Sequence, residues 1–219
     1  MPRQMKKSKP LIYIFCEGES EQCYAQFLKE EFEEVAAIKY PPKTGLFEEA
    51  RDKFTKEPRY KSAVPATDEI WFFFDVEESD HKHWDSRTKI IDQLRKLRKK
   101  PNIRVRLLMT TGCIEYWLML HYQMMAPAIN CTADKERIIN QLKQKMPGYK
   151  KGDFETTEKI ARMYQTAVRN GAKTLANLLP DGIPTLEDTD ARNHWLHQSS
   201  KTFTTVQEAI VYLESLKIV

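Results

Sequence analysis

Two short, unbroken apolar runs, each stopped by carboxylates, constrain this chain more than any other feature. Residues 10–16 read PLIYIFC and are followed by Glu17-Gly18-Glu19-Ser20. Residues 69–74 read EIWFFF and are followed by Asp75-Val76-Glu77-Glu78-Ser79-Asp80. Aromatic and β-branched residues without polar alternation fit strands buried on both faces, as in a parallel sheet covered by helices. A carboxylate at the end of such a strand must be solvated, paired or bound to a cation, because burying it alone is costly.

The segments between the runs carry helical periodicity. Tyr24, Phe27, Leu28, Phe32 and Val35 share one face, with Ser20 as the expected N-cap and acidic residues in the first turn. Residues 36–40 read as a second short strand, closed by Pro41-Pro42. Leu46, Phe47, Ala50 and Phe54 recur at helical spacing, and Pro58 and Pro65 bracket a loop. A helix is expected over 84–99, carrying Ile90, Ile91, Leu94 and Leu97 and ended by Pro101-Asn102. Residues 103–109 read as a fourth strand. Strand and helix thus alternate four times, which predicts an α/β fold with a mainly parallel sheet of about four strands flanked by helices. From Gly112 onward the sequence reads as helix-rich. The expected organisation is an α/β core over 1–111 and a helical extension over 112–219 packed on it. In sheets of this kind ligands bind beyond the carboxyl ends of the strands, and both acidic clusters fall there.

Asp75 and Glu77 stand two apart, so in extended backbone they point to the same side. Mg2+ and Mn2+ take oxygen ligands, and Mg2+ needs only one or two protein carboxylates beside substrate phosphate. Glu17, Asp75 and Glu77 are therefore the candidate metal ligands and catalytic acids, with Glu19, Glu78 and Asp80 as secondary candidates. A cation held there suits phosphodiester chemistry. A Lys or Arg is needed to neutralise the transition state; Lys151 and Arg106 both remain open for that role. The competing reading is plain: solvated turns before helices, with acids that favour the helix start.

Composition narrows the setting. A net charge of +4 is too mild to establish a nucleic-acid partner. Its distribution is uneven: residues 17–34 are acidic, while 95–106 and 143–151 are basic. Opposite signs suit a metal site beside a phosphate-binding surface, and equally two solvated helix faces. No apolar run approaches the roughly 20 residues that span a bilayer, and no export signal is read. A cytoplasmic protein without membrane contact is expected. Cys16, Cys23, Cys113 and Cys131 show no CxxC pairing and read as reduced thiols. His81 and His83 lack the further ligands that zinc requires. Glu115, Trp117 and His121 fall on one expected helix, preceded by Thr110-Thr111 at a strand-to-helix turn; Trp117, Leu118 and Leu120 read as core.

CEGESEQCYAQFL at 16–28 resembles the opening motif of TOPRIM-type domains in the RloB-like family, a restriction-linked family of bacterial defence loci. FFFDVEESD at 72–80 resembles the second TOPRIM acidic motif. CIEYWLMLHY at 113–122, YKKGD at 149–153 and SSKTFTTVQEAIVYL at 199–213 resemble further family segments, in the family's order. Asp75-Val76-Glu77 stands where D-x-D is usual, and Gln198-Ser199-Ser200 replaces an Asn-Pro. The resemblance implies a TOPRIM-like core with Glu17, Asp75 and Glu77 as Mg2+-associated acids and Glu17 as general base or acid. It makes Glu115 a candidate site residue.

The function expected is that of a Mg2+-dependent (or Mn2+-dependent) nuclease cleaving phosphodiester bonds in nucleic acid, DNA or RNA, in restriction or anti-phage defence. An ATPase encoded nearby is an expected partner. The alternative is a non-catalytic binding partner or regulator of that ATPase. A third reading is a hydrolase of small phosphoesters. Topoisomerase and primase activities are not expected of 219 residues without zinc-ribbon spacing.

Overall fold

Alternation of buried strands and amphipathic helices gives an α/β architecture over residues 9–218, the part of the chain that the computed structural model describes. Strands β1 (Leu11–Cys16), β2 (Ala37–Lys39), β3 (Thr67–Val76) and β4 (Arg104–Thr111) form one sheet in the order β2-β1-β3-β4. Every pairing between them is parallel. The helices are α1 (Glu19–Glu31), α2 (Phe47–Lys56), α3 (Pro58–Ala63), α4 (Trp84–Arg95), α5 (Ile114–Met119), α6 (Thr132–Lys145), α7 (Phe154–Ala161), α8 (Tyr164–Ala176), α9 (Asp190–Gln198) and α10 (Val206–Lys217).

The period of two sorts each strand between two cores. Ile12, Ile14, Cys16, Trp71 and Phe73 face α1, α5 and α10. Tyr13, Phe15, Phe72 and Phe74 face α2 and α4. This explains why the strands lack polar alternation. Phe72, Phe73 and Phe74 are fully buried and contribute about 1.5–3 kcal/mol each. No helix among the described residues is long and apolar enough to cross a membrane. All four cysteines are free.

Several boundaries differ from expectation. The N-cap of α1 is Gly18, not Ser20. The Glu21 side chain reaches back to the Gly18 N–H at 3.0 Å, so the helix starts before the serine. Val35 lies beyond α1, whose C-cap is Phe32. The segment between Pro58 and Pro65 holds the short helix α3, because a proline in its first turn lacks only an N–H that would be unpaired there. Strand β3 continues two residues past Phe74, since β4 pairs along it through Asp75↔Thr110 and Val76↔Thr111. Helix α4 stops at Arg95 rather than Lys99; beyond it, Lys99 bridges Asn102 as the chain turns toward β4.

The chain closes on its own sheet. Thr204 bridges Thr110 in antiparallel sense. Thr111 N–H donates to the Phe203 carbonyl at 3.1 Å, and Thr205 N–H to that of Met109 at 2.9 Å. This segment covers the open edge of β4, which would otherwise present unpaired backbone groups. It also brings Ser199 and Ser200 to the carboxyl end of the sheet, where they line one cleft with Val76 and Thr111.

Candidate active site at the carboxyl end of the sheet

Glu17 is the first residue past β1, and its N–H extends the ladder to the Phe73 carbonyl at 3.0 Å. Its Oε2 accepts the N–H of Asp75 at 2.9 Å, so the two acids are tied across adjacent strand ends. Asp75 Oδ1 is sealed from solvent and has no hydrogen-bond partner. Burial raises its carboxyl well above the ordinary range, and the charges of Glu21, Glu17 and Glu115 raise it further. Glu17 is solvent-exposed as a residue, yet its carboxyl is raised by partial loss of hydration against the strand ends; the Asp75 N–H opposes this.

Two more acids complete the cluster. Glu21 is 4% exposed, on the stripe of α1 that also carries Tyr24, Ala25 and Leu28. Burial lifts its carboxyl to about 7, with added repulsion from Glu17 and Glu115. Nothing singled Glu21 out in the sequence beyond a general acidic helix start. The available signal was its place on an apolar stripe, where an unpaired acid does not belong. Glu115, in the first turn of α5, is fully buried. Its Oε1 accepts Tyr149 Oη at 3.0 Å and lies 3.4 Å from Lys151 Nζ. Its Oε2 has no partner.

Residues 149–152 deliver these last contacts. Gly152 takes φ +70°, a conformation natural to glycine. Its N–H donates to Ser20 Oγ at 3.1 Å, pinning the loop to the start of α1. Lys151 is thereby turned toward Glu115. Partial burial pulls its ammonium down, but Glu115 outweighs this and the net shift is upward.

The remaining candidates are placed differently. Glu77 caps a 3-10 turn (Glu78–His83) and accepts Lys135 Nζ of α6 at 2.5 Å. Asp80 is paired with Arg87 at 2.6 Å, and Arg87 continues to His197 Nε2 at 2.8 Å. Glu19 is exposed beside Gly152, and Glu78 is exposed on the cleft wall. Arg106 is not at this end. It is buried against Glu69 at 3.2 Å and Asp188 at 3.6 Å, in the first half of β4. The basic segment 95–106 belongs there too: Arg95 pairs with Asp190, Arg98 with Asp68 and Arg104 with Asp188. It therefore does not adjoin the acids, because the chain between α4 and β4 turns at the opposite end of the sheet. His121 is a core histidine, bonded to Tyr24 Oη and to the Trp117 carbonyl, and burial lowers it to about 4.

Among the described residues, no three His, Cys, Asp or Glu side chains converge closely enough to form a ready metal cage. The donor chemistry nevertheless fits a hard cation. The cluster offers carboxylate oxygens alone, two of them buried without partners, and three of its acids are raised, first by loss of hydration and then by neighbouring carboxylates. Mg2+ asks for only one or two such ligands.

A family model described as RloB-like protein matches residues 12–213. No curated protein and no solved structure matches the chain.

Proposed function

The chain belongs to the RloB-like family, and we propose that it is a Mg2+-dependent, TOPRIM-type nuclease that cleaves phosphodiester bonds in nucleic acid, in restriction or anti-phage defence. The observation that carries this reading is the set of carboxyls Glu17, Glu21, Asp75 and Glu115 at one end of a parallel sheet, raised by burial and mutual repulsion or left with a bare oxygen. Such a cluster is poorly satisfied until a cation enters. When bound, Mg2+ or Mn2+ supplies Lewis-acid activation of water and of the phosphodiester. Asp75 and Glu17, on adjacent strands, would hold it, with Glu77 as a further ligand if freed from Lys135. Glu17, fixed by the Asp75 N–H, takes or returns a proton at its free oxygen. Lys151 stands beside Glu115 as the cation that offsets charge developing on the phosphoryl oxygens.

The test is cleavage of labelled single- and double-stranded DNA and RNA in Mg2+ and Mn2+, by wild type, Glu17→Gln and Asp75→Asn. Metal-dependent cleavage lost in both variants is the expected result. Metal-independent cleavage, or activity that survives Asp75→Asn, contradicts the assignment.

One observation favours a second reading, that of a non-catalytic partner or regulator of an associated ATPase. Glu77 and Asp80 are each neutralised within the chain, by Lys135 and Arg87. On that reading Glu17→Gln leaves partner binding and defence intact.

A further inference from the structure

At the end of β3, lined by Val76 and Glu77, the residues that follow Asp75, lies a cleft of about 340 Å³. One wall is the 3-10 turn with Glu77 and Ser79, another is the start of α6 with Thr132 and Lys135, and Ser199 and Ser200 close the third. Ile129 forms an apolar floor. It is pressed onto Gly112, where a Cβ would come within 2.4 Å of it and where φ is +77°. That glycine is in turn held by its N–H to the Val76 carbonyl at 3.0 Å. The floor is thus built into the ends of β3 and β4.

We propose that this cleft receives one unpaired nucleotide of the substrate strand, next to the phosphodiester at the acids, with Lys135 as its phosphate contact. The inference deepens the nuclease reading and rests on it. Size argues first: ligand sites run from about 300 to 1,000 Å³, so this cleft takes a nucleotide and excludes a base-paired duplex. Chemistry argues second. The hydroxyls of Ser79, Thr132, Ser199 and Ser200 suit sugar and phosphate oxygens, the groups that position a strand without reading its sequence. Ile129 offers a base an apolar surface. Charge argues third. Glu77 and Glu78 make the wall negative, so a free nucleotide gains little there. A cation held at Glu77 would free Lys135 for the cleft, and the strand would gain that contact. Lys135 Nζ now pairs with Glu77 alone among the acids.

The test is fluorescence anisotropy with short labelled single strands of DNA and RNA and a blunt duplex. Ca2+ replaces Mg2+ as an oxygen-seeking cation. Three full-length proteins are compared: wild type, Ser200→Trp, which fills the cleft from an exposed position without altering charge, and Lys135→Gln. Thermal midpoints verify that each is folded. Wild type is expected to bind a single strand about tenfold more tightly than duplex, and both variants to lose about tenfold of that affinity. Equal affinity for duplex, or unchanged single-strand binding by folded Ser200→Trp, overturns the cleft. Cleavage is scored separately. Binding lost in the variants while no wild-type sample cleaves sinks the nuclease reading and keeps the cleft. Cleavage with unchanged binding by Ser200→Trp does the reverse.

Discussion

Glu21 concentrates the electrostatic tension of the site in one side chain. Its carboxyl titrates at about 7 in the folded chain, against 4.5 for an ordinary glutamate. Between those values the unfolded chain ionises while the folded one stays protonated, so stability falls as pH rises from about 4.5 to 7 and then levels off. A shift of this size is worth about 3 kcal/mol. In chelator, Glu21→Gln is therefore expected to raise the thermal midpoint by about 5 °C or more at pH 8, with little change at pH 5. Differential scanning fluorimetry reads this directly; equal effects at both pH values would show that Glu21 is not the titrating group. His121 works with the opposite sign. It is lowered to about 4 by burial, so its contribution is lost as pH falls through the range from about 6.5 to 4. At this scale the sequence was partly legible. Glu17 and Asp75 stood out because each follows an apolar run, where a carboxylate must be solvated, paired or bound to a cation; the run alone does not choose among these. Glu21 and the contact of Lys151 with Glu115 depend on packing between segments far apart in the chain, which periodicity does not encode. Arg106 was as plausible as Lys151 until Glu69 and Asp188 were seen to enclose it.

At the scale of elements, strands were easier to place than the segments that join them. Runs such as EIWFFF fit a strand buried on both faces, whereas the short helix after Pro58 lay where two prolines suggested a loop. The start of α1 shows the same limit: Ser20 is a good N-cap by type, yet Glu21 caps Gly18 and frees Ser20 to accept from Gly152. The loop over 149–152 is the element on which the site depends most. In Gly152→Ala, a side chain must adopt left-handed backbone, costing about 1–2 kcal/mol, and its Cβ would come 3.0 Å from Glu19 Oε2. Urea unfolding is expected to show a loss of that order. Cleavage at a temperature where both proteins are folded is expected to fall further, because Lys151 is then released from Glu115. Unchanged cleavage in the destabilised variant would remove Lys151 from the site.

For the molecule as a whole, the alternation of strands and helices foretold the parallel sheet. It did not foretell how residues after 111 bind it. Val206, Ala209, Ile210 and Leu213 of α10 are fully buried in the core that also holds β1 and β3, and Phe203 to Thr205 seal β4. We read the described residues up to 111 as the core and those over 112–218 as an extension that the core needs; residues 1–8 and 219 of the expected division lie outside the described residues. A chain ending at Gln198 is expected to lose its cooperative thermal transition and to aggregate through the bared edge. A monomeric 1–111 fragment that unfolds cooperatively would refute this dependence.

We propose that the carboxyl end of this sheet holds a divalent cation. Titration calorimetry with Mn2+, comparing wild type with Asp75→Ala/Glu77→Ala, tests it most directly. Saturable binding by wild type that disappears in the folded double variant is the predicted result. A folded wild type that takes up no Mn2+, even with an oligonucleotide present, would contradict the account and leave the partner-binding reading ahead.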